Sequence, residues 1–205
     1  MNLKKILWIV FISIFVMLIT ACSSKNVEIT FNTNGGTVLE KVSIKQGTTY
    51  EEPSVEKTGY RFVGWYESDK FEESTKFSFD TPIIRNITLY AKWEINSYQI
   101  TFNPNNEETI PSVTLNYGAA LSLPTPTKEG HIFAGWYRNE DFSGQRFTSN
   151  QMPAENLTLY ARWTIKTYEV TFYIDDEVYQ TRTVEHGEDL TDIPEPPEKV
   201  GKVRY

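Results

Sequence analysis

Gly59-Tyr60-Arg61-Phe62-Val63-Gly64-Trp65-Tyr66 recurs 71 residues later as Gly130-His131-Ile132-Phe133-Ala134-Gly135-Trp136-Tyr137. Two further blocks recur in the same order, one upstream and one downstream of this stretch. Their copies are residues 27–31, 98–102 and 168–172 for the upstream block, and residues 86–93 and 156–163 for the downstream block. Because all the blocks keep one order and nearly one spacing, the chain is predicted to consist of tandem repeats.

The blocks divide the chain into two complete repeats and the beginning of a third. Repeat one spans residues 27–95, and repeat two spans residues 98–165. A third repeat begins at Tyr168, but the sequence ends at Tyr205 before any Gly-Trp-Tyr block. We therefore expect residues 168–205 to be an incomplete repeat whose hairpin lacks the strands on which it would pack. The linkers between repeats are predicted to be about four residues long, which favours a semi-rigid array.

Within each repeat the residue pattern mostly predicts β-strands. In repeat one, residues 27–31 and 38–44 alternate β-favouring and polar side chains, and Asn34-Gly35-Gly36 between them is typical of a tight hairpin turn. Residues 60–66 predict a third strand and residues 87–93 a last one. The shorter turn of the third repeat is predicted at Asp175-Asp176.

Proline limits the amount of helix in the connections. Pro53 in repeat one, and Pro124 and Pro126 in repeat two, allow at most a turn or two of helix after each hairpin. The predicted fold class is therefore mostly β, and α+β at most. The four tryptophans of the repeats, Trp65, Trp93, Trp136 and Trp163, are expected to pack in the cores, because a small unit without disulfides needs their area.

These blocks resemble the internalin B repeat, also called the Listeria/Bacteroides repeat, of bacterial surface proteins. The resemblance rests on the Ile-Thr-Phe opening, the Gly-Tyr-x-Phe-x-Gly-Trp-Tyr centre and the Asn-Ile-Thr-Leu-Tyr-Ala-Lys-Trp close, and it covers residues 27–165 and half a unit beyond. It implies a β-grasp-like unit of ubiquitin or SUMO type for each repeat. It also implies a role as a spacer or adhesive module on the cell surface.

The N-terminus has the pattern of a secretory signal peptide over residues 1–21. Lys4 and Lys5 precede an apolar run from Ile6 to Ile19, and Ala21 supplies the small residue of a cleavage site. A 14-residue helix covers about 21 Å, short of the roughly 30 Å hydrocarbon core of a bilayer. A cleaved signal is therefore favoured over a permanent membrane span.

Residues Ile19-Thr20-Ala21-Cys22 resemble the lipobox of bacterial lipoproteins. The resemblance implies cleavage after Ala21, lipidation of the Cys22 thiol, and an exported protein held on the outer side of the cell membrane. Residues 22–26 would form a polar tether. The alternatives are an ordinary signal peptide with a chance cysteine, and an uncleaved anchor.

Composition restricts the classes of partner. The chain is 40% hydrophobic and 23% charged, which suits a folded protein rather than a disordered one. Without Lys4 and Lys5 it has 18 basic and 27 acidic residues, a formal charge of −9. Such a surface repels phosphate backbones, so no nucleic-acid partner is expected. Its single cysteine leaves no intramolecular disulfide.

Other candidate sites have simpler structural explanations. His131 and His186 align with residues of other types in the other repeats, and the one cysteine is assigned to the anchor, so no catalytic residue is predicted. Asp175-Asp176-Glu177 and Glu107-Glu108 lack the ligand spacing of a calcium loop, so no metal site is predicted. Asn86 and Asn156 begin sequon-like triplets but are expected to have structural roles. No cofactor is predicted, and an exposed tryptophan platform for sugars is the less favoured alternative to core packing.

The leading functional hypothesis is a non-catalytic, lipid-anchored surface protein whose repeats bind a protein or glycan partner or act as a spacer. A second hypothesis is a purely structural stalk, the remnant of a longer surface protein. A third, a small envelope enzyme, would need a cleft between two small units.

Overall fold

The computed structural model describes residues 25–191 and 193–195, and these are almost entirely β-strand and loop. They form several small sheets in tandem, which confirms the mostly-β prediction. The chain divides into two compact units, of which the first ends at Ile95 and the second begins at Asn96. The described residues contain no helix long and apolar enough to cross a membrane.

The first unit is built on one four-stranded sheet. Its strands are β1 (Asn26–Asn32), β2 (Val42–Lys45), β3 (Tyr60–Tyr66) and β4 (Ile87–Ile95). They lie in the order β2-β1-β4-β3, in which β1 and β4 run parallel and the two outer pairs are antiparallel. The parallel pair needs a long connection, and this connection carries β2, β3 and a single 3-10 turn, Glu73–Thr75.

The second unit repeats this sheet and adds a hairpin. Its strands are β5 (Ser97–Asn103), β6 (Val113–Asn116), β7 (His131–Tyr137), β8 (Leu157–Ile165), β9 (Thr167–Ile174) and β10 (Glu177–Glu185). The first four lie in the order β6-β5-β8-β7, again with a parallel central pair. Strands β9 and β10 form a separate two-stranded sheet, called the third hairpin below, whose turn is Asp175-Asp176 as predicted.

The structure corrects two expectations about connections. The four-residue linkers are wrong, because β4 and β8 continue to Ile95 and Ile165 and leave only Asn96 and Lys166 between strands. The tight turn predicted at Asn34-Gly35-Gly36 forms, because Asn34 and Gly35 have φ of +49° and +84° and Gly36 N–H donates to the Thr33 carbonyl at 3.0 Å, but it does not join β1 directly to β2. Residues 33–37 instead turn toward the segment after β2, where Thr37 N–H donates to the Glu56 carbonyl at 2.9 Å, so β2 forms only from Val42.

The β-grasp assignment stays a prediction. The sheet order and the parallel central strands are described above, but the segments between β2 and β3 and between β6 and β7 contain no helix. The prolines already limited helix in these segments, and the backbone there is extended or turned.

Each four-stranded sheet has one face covered by a hydrophobic core. In β4 the alternation places Leu89 and Ala91 fully in the core and Thr88 outside it. Trp65 and Trp136 are 1% and 2% exposed, which confirms their predicted burial. Trp93 and Trp163 are only half-buried, because each lies toward the end of the sheet and packs against the core from its margin.

A β-bulge explains the glycine of the Gly-Trp-Tyr block. In strand β3 the pairing register shifts between Phe62 and Gly64, so that Phe62 lies opposite Trp93 and Trp65 lies opposite Ala91. The extra residue brings Phe62 and Trp65, three positions apart, to the same face of the sheet. Gly64 has φ of +148°, which other residues rarely adopt, and the second repeat has the same bulge at Gly135.

Candidate interaction surfaces

The predicted lipidation site cannot be placed in the structure. Cys22 and the cleavage position Ala21 lie outside the described residues, as does the whole predicted signal peptide. The described residues begin at Lys25, just before β1. Lipidation and cleavage therefore stay predictions from the sequence.

Four aromatic rings form an equivalent chain of contacts in each repeat. In repeat one, Phe31 contacts Trp65 with ring centroids 5.1 Å apart, Trp65 contacts Phe62 at 5.7 Å, and Phe62 contacts Trp93 at 5.3 Å. The matching distances in repeat two are 5.1, 5.5 and 5.5 Å, for Phe102, Trp136, Phe133 and Trp163 in that order. Tilted and edge-to-face pairs of this kind stabilise a core beyond the area they bury. The aromatic blocks are therefore core, and Trp65 and Trp136 do not form an exposed sugar platform.

The indole N–H groups of Trp93 and Trp163 have equivalent partners, whereas those of Trp65 and Trp136 do not. Trp93 Nε1 donates to the Thr33 carbonyl at 2.8 Å, and the equivalent Trp163 bond is also 2.8 Å long. Trp136 Nε1 donates to the Pro124 carbonyl at 2.8 Å. The Nε1 of Trp65 is buried without a hydrogen-bond partner, so repeat one contains an unsatisfied polar group at a position where repeat two does not.

A groove of about 960 Å³ lies beside Trp65, and we call it the first-unit groove. Three backbone segments line it, residues 49–52, 62–65 and 76–80. The equivalent depression beside Trp136 is only about 230 Å³, and the Arg146 side chain lies against Gly135 there. The two repeats therefore share a fold but differ in this surface.

The lining of the first-unit groove is aromatic and acidic. Tyr50 and Phe79 occupy positions where the second repeat has Leu121 and Ser149. Three carboxylates also line the groove, from Glu51, Glu52 and Asp80, together with one cation from Lys76. Aromatic faces and carboxylate acceptors suit a ligand that offers C–H or N–H and O–H groups. Sequence reasoning missed this site, although the differences between the aligned repeats carry its signal.

The backbone groups along the sides of strands β1, β5 and β9 are the second surface considered for interactions. Glu28 N–H in β1 donates to the side-chain oxygen of Asn86 at 3.0 Å, and Gln99 N–H in β5 donates to Asn156 at 2.8 Å. Both asparagines directly precede the parallel strand, so the sequon-like triplets have the expected structural role. Strand β9, by contrast, pairs only with β10 among the described residues.

The other predicted candidate residues are not brought together into a site. His131 Nδ1 lies 2.7 Å from the Glu129 carbonyl, and His186 is exposed. The Glu108 carboxylate accepts a hydrogen bond from Thr127 N–H at 3.1 Å, as a loop residue. Within residues 25–191 and 193–195, no group of three or more His, Cys, Asp or Glu side chains is arranged to hold a metal ion.

Comparison with known proteins matches the repeats to one family. The profile of the Listeria-Bacteroides repeat domain matches residues 28–92 and residues 98–162. The chain belongs to the Listeria-Bacteroides repeat family. The resemblance seen in the sequence is thereby confirmed for both complete repeats. Both repeats of this chain have the Gly-Trp-Tyr bulge and the asparagine cap, by which we mean the hydrogen bond that Asn86 or Asn156 accepts from the backbone of the first strand.

Several larger proteins contain similar repeats. The chain is 38% identical over 176 residues to an inferred membrane protein of Evansella cellulosilytica, which covers 84% of the chain and 26% of that protein. It is 34% identical over 175 residues to an inferred Gly-rich membrane protein of the same organism, covering 84% and 20%. It is 38% identical over 127 residues to internalin H of Listeria monocytogenes, covering 60% and 23%. The chain thus spans about a fifth to a quarter of the length of these relatives.

Proposed function

We propose that the protein is an exported, lipid-anchored surface protein without catalytic activity, whose repeats bind a protein or glycan partner. The observation that carries this proposal is membership of the Listeria-Bacteroides repeat family, together with relatives named as membrane proteins and an internalin. Surface or membrane association of the relatives agrees with the signal-like N-terminus of this chain. A spacer that only holds other groups away from the membrane is the alternative within the same family.

Anchoring is tested at Cys22. We expect mature protein from membranes of the native host to begin at Cys22 and to carry the mass of a diacylglyceryl group, because two acyl chains give stable membrane attachment. Intact-mass analysis of detergent-extracted protein measures this directly. The matched variant Cys22→Ala should lose both processing and membrane retention. A mature N-terminus at another residue, or unchanged retention of Cys22→Ala, would contradict the anchor.

Binding is tested at the first-unit groove, which combines aromatic faces with carboxylates on its rim. Residues 22–205 with Cys22→Ser can be immobilised and screened against purified cell-wall glycans and envelope proteins. A partner that uses the groove should bind less tightly to Phe79→Ser, which installs the residue of the second repeat. Val38→Ala is the control, because Val38 is 83% exposed and lies outside the groove. Absence of any binding would contradict this role and favour the spacer.

A further inference from the structure

The loop beside the first-unit groove is one residue longer in repeat one than in repeat two. In each repeat the loop follows a phenylalanine whose N–H bonds at 2.8 Å to the carbonyl of the central tryptophan. It ends before a residue whose N–H bonds at 2.9 Å to the segment after the second strand. These fixed points are Phe77 and Ile83 in repeat one, and Phe147 and Met152 in repeat two. They enclose residues 78–82 in the first repeat but only residues 148–151 in the second.

Two hydrogen bonds that close repeat two are missing in repeat one. In repeat two, Leu121 N–H donates to the Asn150 carbonyl of the loop at 2.9 Å, and the indole of the central tryptophan donates to the same wall three residues further on. The equivalent donors in repeat one are the Tyr50 N–H and the Trp65 indole, and neither has a hydrogen-bond partner within the described part of the chain. Residues 49–52 are therefore not held against the loop, and the space between the two segments belongs to the groove.

The carboxylates of the groove also lack partners. Glu51, Glu52 and Asp80 are exposed, and none of them has an ion-pair or hydrogen-bond partner in residues 25–191 or 193–195. The Lys76 ammonium lies 3.7 Å from the Glu73 carboxylate, so its charge is already compensated. The equivalent positions of repeat two carry no charge, being Ser122, Leu123 and Asn150. Negative charge is thus a property of the first-unit groove rather than of the repeat, and it attracts a cationic ligand.

Aromatic rings lie beside these carboxylates. Phe77 and Phe79 pack edge-to-face with ring centroids 4.9 Å apart, and Tyr50 is half-buried. A lysine or arginine side chain packs its alkyl stem on such rings while its cation stays near carboxylates. A polypeptide also presents a carbonyl oxygen at every residue, which is the acceptor that the vacant Tyr50 N–H requires.

We propose that the first-unit groove binds an extended polypeptide segment rich in lysine or arginine. The cations of this segment face the three carboxylates, its alkyl stems pack on Tyr50 and Phe79, and one of its carbonyls accepts the Tyr50 N–H. An amino sugar offers a cation without an alkyl stem, and a polyamine offers cations without carbonyl oxygens, so a basic polypeptide satisfies more of these groups than either. The inference names the partner class of the binding role proposed above and rests on that role.

The probe is a short synthetic peptide of alternating lysine and alanine, blocked at both ends and titrated into residues 22–205 with Cys22→Ser. We expect saturable binding that slows hydrogen exchange at the Tyr50 amide and shifts the NMR resonance of the Trp65 indole, identified by its loss in Trp65→Phe. Raising the NaCl concentration from about 0.05 M to about 0.5 M should weaken binding several-fold, because the carboxylates are exposed. The same peptide with every lysine acetylated keeps its carbonyls but loses its cations, and it should not bind measurably.

Matched variants separate the groove from the overall negative charge of the protein. Glu51→Gln with Glu52→Gln should bind the peptide about fivefold more weakly, because two exposed charge pairs are lost. Glu40→Gln with Glu140→Gln is the control, since it removes the same charge at exposed positions outside the groove and should bind like the parent. Phe79→Ser should weaken binding about threefold through the lost aromatic face.

A loop exchange tests the origin of the groove. Replacing residues 78–82 with Thr-Ser-Asn-Gln installs the shorter loop of repeat two, so it should close the groove and abolish binding. The point variants remain informative if the exchanged protein does not fold.

Binding of the acetylated peptide, an equal loss in the control variant, or spectral changes confined to the second unit would overturn the inference. So would tighter binding of a chitosan oligomer or of spermine, which would assign the groove to an amino sugar or a polyamine. Self-association that Glu51→Gln with Glu52→Gln abolishes would assign it to a second copy of the chain. If the lysine peptide does not bind but a glycan or envelope protein is captured in the screen above, this inference fails and the binding role stands; if nothing binds in either experiment, both fail.

Discussion

Trp65 and Trp136 occupy equivalent positions but differ by one hydrogen bond. The Trp136 indole donates to the Pro124 carbonyl, whereas the buried Trp65 N–H has no acceptor. Trp136→Phe breaks a bond and leaves a carbonyl unpaired, but Trp65→Phe removes a group that was already unpaired. We expect Trp136→Phe to lower the free energy of unfolding of its repeat by about 1–2 kcal/mol more than Trp65→Phe does. Hydrogen exchange of the slowest amides in β5 and β1 measures each repeat separately, and equal losses would contradict the difference.

Removing the whole Trp65 ring should lower the free energy of unfolding more than removing only its N–H group does. Trp65 is 1% exposed and contacts both Phe31 and Phe62, so its removal leaves a cavity in the centre of the first unit. Trp65→Ala should cost about 3–5 kcal/mol, which is a large part of the stability of a small domain. Denaturant unfolding checks the value, with Val38→Ala expected to change it by less than about 0.5 kcal/mol. Parent-like unfolding of Trp65→Ala would show that the core is assigned wrongly.

At the scale of elements, the asparagine cap joins the two parallel strands of each sheet. Asn86→Ala leaves the Glu28 N–H to water and should lower the free energy of unfolding of the first unit by about 0.5–1.5 kcal/mol, because this bond is exposed. Asn86→Asp is the matched control, since it keeps the acceptor oxygen. Thermal unfolding that places Asn86→Asp below Asn86→Ala would show that the hydrogen bond is not the stabilising contact.

Strand periodicity predicts the regular elements well and the irregular ones poorly. Residues 60–66 form β3 with the predicted bounds, because alternation and aromatic content are strong there. The expected strand 38–44 forms only as Val42–Lys45, because the backbone of residues 33–37 bonds to the segment near Glu56, which lies far away in sequence. The bulge at Gly64 escapes an alternation argument, since it places Phe62 and Trp65 on one face.

The sequence also predicts features that recur in both repeats better than features that occur in only one of them. The aromatic core and the asparagine cap recur in both repeats, so the sequence alone could identify them as structural. The first-unit groove is formed by residues that differ between repeats, such as Tyr50 and Phe79, and a search for repeated motifs passes over them. The difference in volume between this groove and the depression of the second repeat also depends on how Lys76 lies over Gly64 and Arg146 over Gly135, which no sequence pattern predicts.

Across the whole chain, stability is expected to fall at the third hairpin. A two-stranded sheet alone is marginal in water, and Tyr173 and Val178 of this hairpin are largely exposed. It is attached to the rest of the second unit near Gly130, whose carbonyl accepts the Lys166 N–H at 2.8 Å. The His186 ring lies so close to Gly130 that a Cβ on this glycine would overlap it.

Amide exchange in residues 168–185 should therefore be roughly tenfold or more faster than in β5 and β8 of the same molecule. His186→Ala should accelerate exchange in the third hairpin further, because it removes the ring that packs on Gly130, while β5 and β8 remain unchanged. Hydrogen exchange followed by mass spectrometry on the monomeric protein gives both results. Exchange in the hairpin as slow as in β8 would show that two strands and the contact at Gly130 suffice to fold this part of the chain.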